Sequence, residues 1–142
     1  MRTRNTYPAA IGAAVLLGSV VAAVPAYAGG GDFTEETGTC AMGSTWVMKA
    51  KPDTGRIEME FSVDSNRAGQ IWSVRVKDQG ALVFSGNRMT NRISRSFSVD
   101  RMLADRTGTD TFVARATNAK TGEVCRGHVA LAAAGGSGGS SG

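Results

Sequence analysis

Cys40 and Cys125 are the only two cysteines in the 142-residue chain. In an exported protein an even count reads as one disulfide, with two free thiols as the alternative. Four other patterns invite a chemical reading. Asp53-Thr-Gly55 has the short signature of an aspartic protease, whose carboxylates work as a buried pair among apolar residues. Here Lys51-Pro52 and Arg56 flank it, and Pro-Asp-Thr-Gly is a good turn on its own. Gly135-Gly-Ser-Gly-Gly139 fits the nucleophile elbow, which needs a strand before it and a helix after it. This one sits in a Gly/Ser tail. Asp64-x-Asn66-x-x-Gly69 begins like a calcium loop. Ala68 and Arg75 then stand where a ligand oxygen and a bidentate Glu are required, so a plain loop is favoured over a weak site at Asp64. His128 is the single histidine. It lacks a second His or free Cys for zinc and a credible nucleophile for a Ser–His system, and it reads as an outward strand residue. No set of acid, base, nucleophile and metal ligands emerges, so neither enzyme activity nor a cofactor is expected.

The start of the chain indicates where the domain lives. Met1-Arg-Thr-Arg4 is positive, Ala9 to Val24 is apolar, and Ala26-x-Ala28 ends the segment. That is the order of a secretory signal peptide, residues 1–28, with cleavage after Ala28. The apolar run is too short and too rich in Ala and Gly for a convincing membrane span, and no Cys follows the cleavage site to carry a lipid, so no stable membrane anchor is expected. The product is expected to be secreted. Its 14 Lys and Arg, after loss of Arg2 and Arg4 from 16, face 12 Asp and Glu, a net charge of +2. No nucleic-acid partner is expected. Residues 29–39 read as a flexible leader, 40–131 as one domain and 132–142 as a disordered Gly/Ser tail.

The elements that would position any site have a period of two. Ile57, Met59, Phe61 and Val63 share one face, with Glu58, Glu60, Ser62 and Asp64 on the other. Trp72, Val74 and Val76 alternate with Ser73, Arg75 and Lys77. Phe112, Ala114 and Ala116 alternate with Val113, Arg115 and Thr117. Cys125, Val129 and Leu131 oppose Arg126 and His128. Ala41 to Lys51, Ala81 to Ser85 and Ile93 to Val99 are weaker strands. Turn signals separate them, at Pro52 to Gly55, Asp64 to Gly69, Asp78 to Gly80, Gly86-Asn87 and Asn118 to Gly122. Only Asp100 to Asp105 suits a helical turn. The expectation is an all-β, seven-stranded antiparallel sandwich. Parity places Phe61, Phe84, Phe97, Phe112 and Trp72 inside; Trp46 is the least determined aromatic, because Met48 and Ala50 make a weak inward stripe.

The strand order resembles an immunoglobulin or fibronectin type III sandwich. Trp72 lies on the third strand, where immunoglobulin domains put their core Trp. Asp105 to Ala114 is similar to the corner before their strand F, with Phe112 in the Tyr place and Ala114 in the Cys place. The likeness implies an immunoglobulin-like domain, but the family's intersheet disulfide is absent; the Cys40–Cys125 bridge would instead tie the first strand to the last. Thr45 to Leu131, with Asp64-Ser-Asn66, Gly69-Gln-x-Trp72 and Ala114-Arg-Ala-Thr-Asn118, also resembles a group of small exported actinobacterial proteins, a likeness that brings no activity with it.

If strands three, six and seven share a sheet, Arg75, Lys77, Arg115 and Arg126 lie together on its outer face near His128. Glu58 and Glu60 then belong to the other sheet. Such a face could bind an anion, such as a wall polymer or an acidic protein; a solvated arginine face partly neutralised by Glu123 and Asp78 is the plainer alternative. The expected function is a secreted, non-catalytic binding module whose partner is an extracellular protein or an anionic cell-wall polymer. The alternatives are an inhibitor of an exported hydrolase, presenting Asp64 to Gly69, Gly86 to Arg92 or Asn118 to Gly122, and a carbohydrate-binding module with exposed aromatic rings.

Overall fold

A computed structural model describes residues 33–133. The expected signal peptide, Gly29 to Asp32 and the tail from residue 134 onward lie outside the described residues. Eight strands follow one another: β1 (Thr34–Thr39), β2 (Thr45–Asp53), β3 (Arg56–Asp64), β4 (Ile71–Asp78), β5 (Ala81–Met89), β6 (Ser96–Ala104), β7 (Asp110–Asn118) and β8 (Val124–Leu131). They form two antiparallel sheets, ordered β1-β2-β3-β6 and β5-β4-β7-β8. The inward residues of the two sheets make one core, in which Met48, Met59, Phe61, Trp72, Val99 and Phe112 are fully buried. Trp46 belongs to that core and is 6% exposed.

Turn chemistry sets the hairpins. Thr54 (φ 47°) and Gly55 (φ 76°) join β2 to β3, and Gln79 (φ 47°) and Gly80 (φ 83°) join β4 to β5. Positive φ at both central residues is the type I′ pattern, whose twist matches that of paired strands. The connections β3–β4, β5–β6 and β6–β7 carry the chain between sheets, whereas β1–β2 and β7–β8 stay within one. The registers gather the segments 40–44, 65–70, 90–95 and 119–123 at one end of the sandwich.

Three expectations are corrected. The strand count is eight, because Thr34–Thr39 of the expected leader pairs with β2, from Thr34 opposite Ala50 to Thr39 opposite Thr45. Its sequence, Thr-Glu-Glu-Thr-Gly-Thr, has no apolar alternation to announce a strand. Asp100 to Ala104 is extended, not helical, because β3 pairs with β6 as far as Arg56 opposite Ala104. Gly86-Asn87 is no turn: β5 continues through it to Met89, opposite Ile71.

Cys40 and Cys125 are bonded, with their Cα atoms 4.5 Å apart. The bridge joins the residue after β1 to β8, and so ties the two sheets together along one side. Beside it Glu123 acts as a clasp. Its carboxylate accepts hydrogen bonds from the Met42 amide (2.8 Å), the Ser44 amide (3.0 Å) and the Ser44 hydroxyl (2.6 Å).

Candidate anion-binding face

Strands β4, β7 and β8 are neighbours, and their registers put three arginines in one row. Arg75 pairs with Arg115, and Arg115 pairs with Arg126. Strand neighbours lie about 4.8 Å apart, so the three Cα atoms span about 10 Å across the sheet. In the next row on the same face Lys77 pairs with Val113, and Val113 with His128. All four cations are exposed, as is His128. The alternation along each strand enforces this direction, because the residues between them (Val74, Val76, Ala114, Ala116 and Cys125) are fully buried.

The surrounding outward residues are uncharged. Ser85 of β5 continues the arginine row beyond Arg75, and Ser73 opposite Thr117 makes the row beside it. Among the described residues, no carboxylate projects from the outer side of β4, β7 or β8, and none pairs with the four cations. The two acids expected to offset this face point elsewhere. Asp78 is turned inward at 1% exposure, and Glu123 is buried in its clasp. The other sheet is built the opposite way. Across β1, β2, β3 and β6 its outer row reads Glu35, Lys49, Glu60 and Asp100, with Lys49 Nζ 3.5 Å from Glu35.

Like charges directly opposite on adjacent strands destabilise a sheet by a few tenths of a kcal/mol or more. The arginine row meets that condition twice. Its chemistry suits oxyanions: each guanidinium is a planar fork that can donate two parallel hydrogen bonds to a phosphate or carboxylate. An ordered row of such forks on a rigid sheet can follow a chain of anionic groups running across the strands.

The other sequence candidates lie apart from this face. Asp53, Thr54 and Gly55 form the exposed β2–β3 turn, where Thr54 donates to Asp53. The Asp64 carboxylate accepts from the Asn66 amide at 2.8 Å, a local turn with Asn66 at φ 57°. His128 makes a tilted contact with the Trp46 ring, 5.7 Å between centroids. The Gly135–Gly139 motif lies outside the described residues. Trp46, Trp72, Phe61, Phe84, Phe97 and Phe112 are all in the core, so they build no aromatic platform for a sugar.

Sequence reasoning missed a second group of titratable residues at the far end of the sandwich. Asp78 and Asp110 are each 1% exposed. Arg106 Nε is 3.4 Å from Asp78 Oδ2, and its amide reaches Asp110 at 3.4 Å. Burial is the largest cause that pushes the Asp110 carboxyl up to about 6, followed by the charge of Asp78 and hydrogen bonds with Asp78 and Asp105. Neither oxygen of Asp78 accepts a hydrogen bond from a fixed donor.

No protein-family model matches the chain, and neither a curated protein nor a solved structure matches it significantly.

Proposed function

We propose that this chain is exported and serves as a non-catalytic binding module that holds an anionic polymer of the cell exterior on the outer face of β4, β7 and β8. The observation that carries this reading is the row Arg75–Arg115–Arg126, with Lys77 beside it and no carboxylate projecting among them in the described residues. The signal-like segment Met1 to Ala28 and the Cys40–Cys125 bridge support an oxidising, extracellular location. The position of Trp72 in the sequence suggests kinship with immunoglobulin-like binding domains.

The test is cosedimentation of the mature protein, starting at Gly29, with purified Gram-positive cell walls. Walls stripped of their anionic polymers by acid extraction serve as the comparison. The proposal expects binding to intact walls, weakening with salt, and little binding to stripped walls. Equal binding to both would refute it.

A further inference from the structure

We infer that the loop end of the sandwich is a protein-docking surface anchored by Ile93, and that its partner presents an apolar pocket edged by carboxylates. Ile93 is 92% exposed, well beyond the next large apolar side chains, Met42 at 65% and Met89 at 61%. A lone apolar residue on a surface is ordinary. This one is held in water by a loop built to keep it there.

The Asn91 side-chain oxygen accepts the amides of Ile93 (2.7 Å) and Ser94 (3.2 Å). The Arg95 amide returns to the Asn91 carbonyl at 2.9 Å, and the Asn91 amide donates to the Ser96 carbonyl at 2.8 Å. Arg95 sits at φ 58°, a left-handed conformation that is strained for a non-glycine residue. The neighbouring loop braces this one. Ser65 donates its amide to the Arg95 carbonyl at 3.2 Å, and Arg95 Nη1 donates to Asn66 Oδ1 at 3.0 Å. A residue displayed this way loses little conformational freedom on docking, which is how preorganised loops gain affinity.

Charge defines the partner. Arg92 and Arg95 flank Ile93, Arg67 stands on the adjoining loop, and the segment Thr90 to Ser96 contains no acid. An apolar anchor inside a basic rim complements an apolar pocket with an acidic rim, and such complementarity governs specificity and encounter rate. This surface lies at the end of the sandwich, away from the arginine row on the flat of the sheet, so it stands or falls independently of polymer binding.

The test places a photo-crosslinking phenylalanine at position 93 of the mature protein, with the same probe at Thr54 on the opposite end as control. Each protein is irradiated with the secreted proteins of the producing cell. The expected result is one adduct from position 93 and none from position 54. Excess unlabelled wild-type protein should abolish it, whereas excess Ile93→Ser should not. It should fall several-fold at high salt, and the crosslinked peptide should border carboxylates. Ile93→Ser should melt as the wild type does, since the Ile93 side chain is almost wholly exposed. Absence of a specific adduct, equal competition by Ile93→Ser, or an adduct indifferent to salt would each overturn the inference.

Discussion

The indole of Trp46 fills the space that a side chain at Gly38 would need: a Cβ there would lie 2.6 Å from Nε1. The ring thereby reaches from β2 beneath the edge strand β1 towards β8. There a Cβ on Gly127 would meet Trp46 at 3.2 Å and the Phe61 ring at 2.7 Å. Two glycines on strands from different sheets thus make room for the aromatic residues that close this side of the sandwich.

Gly127→Ala should therefore destabilise the domain although alanine suits a strand better than glycine. Phe61 is fully buried and cannot retreat without moving its neighbours. Overpacking of this kind costs about 1–3 kcal/mol. Urea denaturation of the variant checks it, and unchanged or increased stability would contradict the packing described.

The disulfide closes a loop with a sequence separation of 85. Loop-closure entropy predicts about 4–5 kcal/mol of stabilisation, although real bridges often deliver less. Replacing both Cys40 and Cys125 by Ala should lower stability by a few kcal/mol and leave the far-ultraviolet circular dichroism of the sandwich intact in native buffer. A thiol titration finding both sulfurs free in the native protein would refute the bond.

Two carboxyls make stability depend on pH in opposite directions. Asp110 keeps its proton to about pH 6 when folded, against an ordinary 3.8. Its stabilising contribution is full below 3.8 and is lost as pH rises through 6, a change on the order of 3 kcal/mol. Glu123 behaves oppositely. Burial alone would raise it, but the Ser44 hydroxyl and the Ser44 and Met42 amides hold its carboxyl below the usual 4.5. Its contribution is present above 4.5 and fades as pH falls. Melting curves should show that Asp110→Asn removes the loss of stability between about pH 4 and 6 and melts higher than wild type at pH 7. A variant with the wild-type pH profile would contradict the raised Asp110 carboxyl.

The alternation of Arg56 to Asp64 made β3 legible at once, because its two faces differ in polarity at every step. The same parity on β4, β7 and β8 made the basic face legible, once those strands were taken as one sheet. β1 is hidden because it buries no apolar side chain; at Gly38 it leaves room for the Trp46 ring where a side chain would clash. Asp100 to Ala104 reads as a helical turn because Asp-Arg-Met-Leu-Ala lacks alternation, whereas pairing with β3 decides its conformation. The pair Asp78–Asp110 was also hidden. A carboxylate beside Gln-Gly reads as a solvated turn residue, and nothing local shows that a second one folds against it from another strand.

The core register has its own check. Phe61 is fully buried between the sheets, so Phe61→Ala should cost roughly 3–5 kcal/mol. A cost below about 1 kcal/mol would place Phe61 on the outer face, because a one-residue slip turns a whole strand over and takes its charges with it.

The arginine row is tested most directly by the wall-binding isotherm of the double variant Arg75→Gln, Arg115→Gln at low and physiological salt. Both side chains are exposed, so the melting temperature should hold or rise slightly as the opposed charges are removed. Exposed charges are screened over about 8 Å at physiological ionic strength, so wild-type binding should weaken as salt is added. Loss of two guanidinium contacts should reduce affinity at low salt roughly tenfold, about 1.4 kcal/mol. Wild-type affinity in the double variant, or binding indifferent to salt, would show that these arginines are a solvated surface and not the site.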